Sequence, residues 1–352
     1  LIEPIITLIS CVSRQKLVKG GRIVDPGSGT AGEFDIGITG GMIAAIEKDI
    51  PRANGVRVID AKGHIVTPGF IDLHTHVCDG ITRHGINPDR AGVLQGVTTL
   101  VDAGSVGSHT FLGVSRYVLP ANRTRVLIFL NLSYCGQAWM PELRSMDDLH
   151  EPTIETVMRM NRDVIVGIKV RAISPMIKTI GAKVVEIAKK HASTVNGSVM
   201  VHLGDHGAGS SEAPAVTAKI VEGLRPGDIV SHPYTFHPGG ATTPTGDALQ
   251  WAKEAQARGV VIDVARGMAN FTIDITRRAL AAGFIPDTIS TDITLMTIHG
   301  PVFGLADTAS IFLNLGMSLE DVILRVTANP AKALKMFDSL GSIEYGKRAD
   351  LT

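Results

Sequence analysis

Six side chains in this sequence sit where apolar strands seldom tolerate them. His74 and His76 lie two apart in Gly69-Phe-Ile-Asp-Leu-His-Thr-His76. On a β-strand that spacing puts both imidazoles on one face. Lys169 stands between Ile168 and Val170, His202 within Val199-Met-Val-His-Leu203, and His232 within Ile229-Val-Ser-His-Pro233, while Asp292 ends Ile289-Ser-Thr-Asp292. Singly, each has an ordinary explanation: a strand histidine packs in the core, and a strand-end aspartate caps a helix. Gathered at one end of several strands, they form a set of nitrogen and oxygen donors suited to divalent cations such as Zn²⁺.

Lys169 needs chemistry of its own. An ammonium between cations is repelled, and burying it unpaired costs several kcal/mol or more. Desolvation favours the neutral amine, and a neutral amine that reacts with CO₂ becomes a carbamate, an anion whose two oxygens can bridge two metals. A buried ion pair between Lys169 and an aspartate is the alternative.

The elements that must carry these residues come in two styles. Residues 17–68 read as short strands (17–24, 35–38, 42–46 and 56–60) broken by Gly, Pro and Asp, the pattern of a small antiparallel β unit. From Gly69 the chain alternates apolar strands with amphipathic stretches. Strands are expected at 70–76, 99–103, 126–132, 164–170, 199–203, 229–233, 260–265 and 289–292, with helical periodicity over 177–190, 247–258 and 273–282. Strands that are apolar on both faces are parallel strands covered by helices. Eight of them predict an α/β fold, a (β/α)₈ barrel whose polar residues collect at the carboxyl ends of the strands. No Gly-x-Gly-x-x-Gly turn follows the first strand, which argues against a dinucleotide fold. A helix pair at 319–328 and 330–337 closes the barrel, and 342–352 resumes a β pattern.

Composition narrows the function. Lys plus Arg and Asp plus Glu each total 34 in 352 residues, so no basic field points to nucleic acid or to a membrane surface. Cys11, Cys78 and Cys135 are widely spaced and odd in number, which favours a reducing compartment over a disulfide scaffold. Leu1–Val12 is apolar but carries Glu3 and Pro4. It reads as a strand or extended arm, with a trimmed signal segment left open; a cytoplasmic location is expected. The β pattern at 346–352 predicts that the natural chain continues.

Together, the Gly69–His76 run, Lys169, His202, His232 and Asp292 resemble the binuclear metal-dependent amidohydrolase superfamily. Pro68-Gly-Phe-Ile-Asp72, Thr327-x-Asn-Pro-Ala331 and Gly341-Ser-Ile-x-x-Gly-Lys-x-Ala-Asp350 are similar to that family's passages into and out of the barrel. Gln95-Gly-Val-Thr-Thr-Leu-Val-Asp-Ala-Gly-Ser105 and Asp287-x-Ile-Ser-Thr-Asp292 are most similar to its dihydroorotase-like amidohydrolase and deacetylase group.

The resemblance implies a TIM barrel at 69–338, with a small flanking β-sandwich domain built from 1–68 and 339–352. It also implies two divalent metal ions, Zn²⁺ the expected species, one held by His74, His76 and Asp292 and the other by His202 and His232, with carboxylated Lys169 bridging them. A metal-bridging hydroxide would cleave an amide or ester bond of an N-acyl amino acid, an acyl hydroxy acid or a cyclic amide, with Asp292 as the proton carrier. Tyr134, Arg171 and Arg266 follow predicted strands and are candidates to bind the small-molecule substrate. Arg266 stands where related deacetylases carry His-Gly. His206 and His237 are alternative ligands, and Cys78 could approach the metal. A lactonase or phosphotriesterase-like hydrolase on the same metal pair is the alternative, and a non-catalytic dihydropyrimidinase-like assembly protein comes third. A homo-oligomer is left open, since oligomeric state is not legible.

Overall fold

Short apolar runs punctuated by Gly, Pro and Asp have too little length for helices and too much branching to favour them, and between Arg14 and Val66 they pair as strands. A computed structural model describes residues 14–206 and 211–352. The expected segment Leu1–Val12 lies outside the described residues. Strands β1 (Arg14–Asp25), β2 (Thr30–Thr39), β3 (Met42–Glu47), β4 (Gly55–Asp60) and β5 (Ile65–Val66) form a mixed sheet. In it β1 pairs antiparallel to β2 and parallel to β4 and β5. Its core of Val18, Ile23, Ile36, Ile38, Ile43 and Val66 is completed from the far end of the chain by Ile343. The return is hydrogen-bonded: Ile43 N donates to Lys347 O at 2.9 Å, and Gly69 N donates to Asp350 O at 2.7 Å.

Asp35 anchors this unit. Its buried carboxylate accepts from Lys19 Nζ, Gly20 N and Ile50 N, each at 2.7 Å. Burial opposes ionisation, but the Lys19 ammonium and the two amides outweigh it and hold the carboxyl below its ordinary value of 3.8. A depressed folded-state pKa stabilises the fold above the unfolded pKa, and that contribution is lost as pH falls through the folded value. Asp35→Ala is therefore expected to lower the unfolding free energy by about 2 kcal/mol at neutral pH, because two backbone donors lose their acceptor. In urea titrations the variant and the parent should converge in acid.

The second unit is a parallel sheet of β6 (Phe70–Thr75), β7 (Val97–Ala103), β8 (Arg125–Asn131), β9 (Ile165–Arg171), β10 (Ser198–His202), β11 (Ile229–Ser231) and β12 (Val261–Asp263), paired in chain order. Alternation along these strands sorts the side chains. Ile128, Leu130, Ile168, Val170, Val199, Val201, Val230 and Ile262 belong to the large cluster shared with the helices. Leu127, Phe129, Met200 and Ile229 pack inside with Leu334 and Leu340, which plug the floor. Two residues further along the same inner faces stand Asn131, His202 and Ser231, and β9 and β12 bring Lys169 and Asp263 to the same side. The barrel interior thus turns from apolar at the floor to polar at the mouth.

Residues 289–292, expected as an eighth strand, close the ring without forming a regular one. Bridges Asp263↔Thr288 and Thr75↔Ile293 join the segment to β12 on one side and to β6 on the other. Side chains supply part of the pairing: Thr291 Oγ1 donates to Asp72 Oδ2 at 2.6 Å and Ser290 Oγ to Asp263 Oδ1 at 2.6 Å. The expected helix at 177–190 is broken at Gly181 into Met176–Thr179 and Lys183–Ala192. Among the described residues no helix is long and apolar enough to cross a membrane.

Candidate active site

Three of the histidines at the mouth are aimed through Nδ1 by a partner from another part of the barrel. His74 Nδ1 lies 3.0 Å from Ser231 Oγ, and His76 Nδ1 lies 2.8 Å from Ser105 Oγ. His232 Nδ1 is 2.6 Å from the carbonyl oxygen of Ala265. A carbonyl only accepts, so His232 donates through Nδ1 and presents Nε2 as a bare lone pair. Burial is the main force that drives the His232 pKa down to about 3, so the ring is neutral at ordinary pH. His74 and His202 are pushed well below their ordinary value as well, by burial first and then by neighbouring cations and imidazoles.

The side chains converge. Asp292 Oδ1 stands 3.2 Å from His76 Nε2 and 3.7 Å from His74 Nε2. Lys169 Nζ is 3.3 Å from His74 Nε2. The rings of His202 and His232 lie 4.2 Å apart, and those of His74 and His232 5.0 Å. Burial lowers the Lys169 pKa to about 7, with Asp292 pulling the other way. For Asp292 burial alone would raise the pKa, but the hydrogen bond from His76 and the nearby cationic groups hold it below the usual range.

Two features mark how the site is built. Among the described residues His202 Nε2 and His232 Nε2 are buried with no hydrogen-bond partner, a state that costs each group about 1–3 kcal/mol unless something else satisfies it. The stem of Lys169 passes so close to Gly104 that a Cβ there would stand 2.6 Å from Lys169 Cβ. Neutral imidazoles with bare nitrogens beside a carboxylate are the donor set that divalent cations take. His74, His76 and Asp292 offer ligand atoms that all lie within 4.8 Å of one another.

The backbone is bent to do this. Among the described residues six non-glycine side chains have positive φ, and three of them are His232 (68°), Ala265 (43°) and Asp292 (52°) at this mouth. Such conformations cost about 1–3 kcal/mol each and concentrate where a site requires them. Gly267 (φ 56°) backs Asp292, and a Cβ there would lie 2.4 Å from Asp292 Oδ2. Gly267→Ala is therefore expected to displace the carboxylate and lower kcat/KM by roughly 10–100-fold. Gly283→Ala, at φ 83° with open space around it, introduces comparable backbone strain far from the site and should leave turnover unchanged.

A cavity of about 130 Å³ opens over these residues, lined also by His84, Gln137, Met140, Arg171, Asn270 and Thr294. Arg171 is the one substrate-binding candidate on its wall. Its guanidinium is already engaged, 3.2 Å from Glu142 Oε2 and 2.8 Å from His206 Nε2. Tyr134 packs its ring against His109, 4.9 Å between centroids, outside the lining. Arg266 donates to the carbonyl of Val302 at 3.1 Å and also lies outside it. His237 Nε2 is taken up by the carbonyl of Ala269 at 3.1 Å. Cys78 donates its S–H to Asp102 Oδ2 at 3.3 Å, and burial pushes its thiol pKa up, so it offers no thiolate.

Residues 65–352 match the amidohydrolase family. A deacetylase from Agrobacterium fabrum is 36% identical over 315 residues, 89% of this chain and 75% of that protein. The chain belongs to the amidohydrolase family. A deacetylase from Enterococcus faecalis is 28% identical to this amidohydrolase over 342 residues, 96% of the chain and 88% of its own length. Among solved structures, a dihydroorotase superposes with a TM-score of 0.82 at 33% identity, covering 96% of this chain and 87% of its own. An adenine deaminase does so with a TM-score of 0.86 at 28% identity, covering 96% and 89%.

Sequence reasoning passed over the second row of this amidohydrolase's site. Asp263, in Val-Ile-Asp-Val264, carried the signal that drew attention to Lys169, a charge in an apolar strand. Ser105 and Ser231 are too common to stand out. Glu142 and Asn270 come from loops, where no periodicity marks them.

Proposed function

We propose that this amidohydrolase hydrolyses an amide or ester bond in a small N-acyl amino acid, acyl hydroxy acid or cyclic amide, using two divalent cations, Zn²⁺ by preference. His74, His76 and Asp292 would hold one cation and His202 and His232 the other, with carboxylated Lys169 between them. The division of the chain into a barrel at 69–338 and a flanking unit from 1–68 and 339–352 belongs to the same reading. The observation that carries it is the pair of buried, unpartnered imidazole nitrogens of His202 and His232 beside the cluster of His74, His76, Lys169 and Asp292. The deacetylases among its relatives favour an acyl substrate.

Bound cations would polarise the scissile carbonyl and lower the pKa of a water molecule. The chain supplies the rest. Asp292 Oδ1, ionised and facing the cavity, takes a proton from the attacking water and returns it to the leaving amine or alkoxide as the carbon–heteroatom bond breaks. The neutral Lys169 amine adds to CO₂: an N–C bond forms, one C=O π bond opens to a carboxylate C–O⁻, and the nitrogen gives up one proton, so that a neutral group becomes an anion. Arg171, held by Glu142, keeps a planar donor at the cavity wall for a carbonyl or carboxylate oxygen of the substrate.

Metal analysis joined to a substrate panel tests the reading. Protein purified with zinc should carry two equivalents and turn over one or more members of a set of N-acetyl amino acids, O-acetyl hydroxy acids and cyclic amides, with activity lost on chelation. Turnover of lactones alone would move it to the lactonase class. Failure to bind metal would overturn the reading.

A further inference from the structure

Asp263 is fully buried on β12 and does not line the cavity. Its carboxylate is nonetheless saturated by hydroxyls: Oδ1 accepts from Thr288 Oγ1 at 2.8 Å and Ser290 Oγ at 2.6 Å, and Oδ2 accepts from Ser231 Oγ at 3.1 Å. Ser231 is its register partner on β11. A serine hydroxyl has a single proton, and here Asp263 takes it. Toward His74 Nδ1, 3.0 Å away, Ser231 Oγ can then only accept. His74 must donate through Nδ1, which leaves its Nε2 unprotonated on the side of Asp292 and Lys169. The direct path from His74 Nδ1 to Asp263 Oδ2 is 3.5 Å, too long for a good hydrogen bond.

We propose that Asp263 is a positioning residue which acts through the Ser231 hydroxyl to fix the tautomer and orientation of the His74 ring, and so sets how tightly the site binds its cation. The proposal rests on the reading of His74 as a metal ligand. A carboxylate behind a ligating histidine usually touches it directly; here a hydroxyl is interposed, and it transmits the preference because it has one proton to give. Of the other rings, His232 is held by the carbonyl of Ala265 and His76 by the Ser105 hydroxyl, whereas the hydroxyl behind His74 is the one that donates to Asp263. Asp263 also reaches further than Ser231 does. Ser290 Oγ, which donates to Asp263, accepts from the amide of Ala265 at 3.0 Å, so Ser231 gives the cleaner variant.

The experiment is zinc competition against a chromophoric chelator, with the whole chain refilled from the metal-free form, and thermal unfolding of the metal-free proteins alongside. Ser231→Ala is expected to weaken binding of the tighter-held zinc by roughly 10–100-fold, with Ser231→Thr near the parent and Asp263→Asn weakened at least as much as Ser231→Ala. In a His74→Ala background Ser231→Ala should change zinc affinity no further, whereas a merely structural serine would exact the same loss there. Ser231→Cys, close in volume and a much weaker hydrogen-bonder, serves if the alanine variant fails to fold. Zinc affinity within about twofold of the parent in Ser231→Ala, or an equal loss with and without His74, overturns the relay. The His74→Ala protein separates the two readings: if it binds zinc as the parent does, the ligand assignment itself fails.

Discussion

Asp292→Asn is expected to keep most of its metal and lose kcat/KM by about 10²–10⁴-fold, the range for removing a general acid–base group. The substitution is chosen for what it preserves. Asn tolerates the left-handed backbone that Asp292 adopts at φ 52°, and the hydrogen bond from its amide to the carbonyl of His74 at 2.7 Å does not involve the side chain. Asn also keeps an oxygen where Oδ1 stands 3.2 Å from His76 Nε2. What it lacks is an ionisation that could receive a proton from water and return it to the leaving group. Metal content by elemental analysis and turnover of the best panel substrate, measured on the same preparation, check the prediction. Near-parental turnover would remove Asp292 from the proton transfer.

A larger loss is expected at Lys169. Lys169→Met should lower both activity and metal content below those of Asp292→Asn, yet leave the metal-free protein as stable as the parent or more so. The reason is its burial: only 1% of the residue is exposed, and the ammonium has no carboxylate within ion-pair distance among the described residues. Exchanging a buried charge for an apolar side chain of similar length is often neutral or stabilising. The carbamate has its own readout. With isotopically labelled bicarbonate, a carbamate carbon signal should appear in the parent and be missing in Lys169→Met. In the metal-free parent, uptake should fall as pH drops below about 7, where burial has brought the Lys169 pKa, because the ammonium has no lone pair with which to attack CO₂. A metal-rich, active Lys169→Met protein would end the bridging role.

The sequence by itself determined what depends on neighbours along the chain. Alternation of apolar strands with amphipathic helices announced the barrel, and the spacing of His74 and His76 put both rings on one face, because side-chain direction along a strand repeats every two residues. The oddity of an ammonium between Ile168 and Val170 needed no partner to be noticed. Tertiary structure alone decided which residues from different strands meet. Arg171 and Arg266 look alike in the sequence, each just past an apolar strand, yet one lines the cavity against Glu142 and the other turns to the carbonyl of Val302. The closing segment after Pro286 is too short of ladder hydrogen bonds to read as a regular strand, and it holds its place through Asp72 and Asp263, residues 219 and 25–27 positions away. Separations of that kind leave no periodic trace. They are set by the curvature that brings β12 round to β6, and that curvature belongs to the closed sheet as a whole.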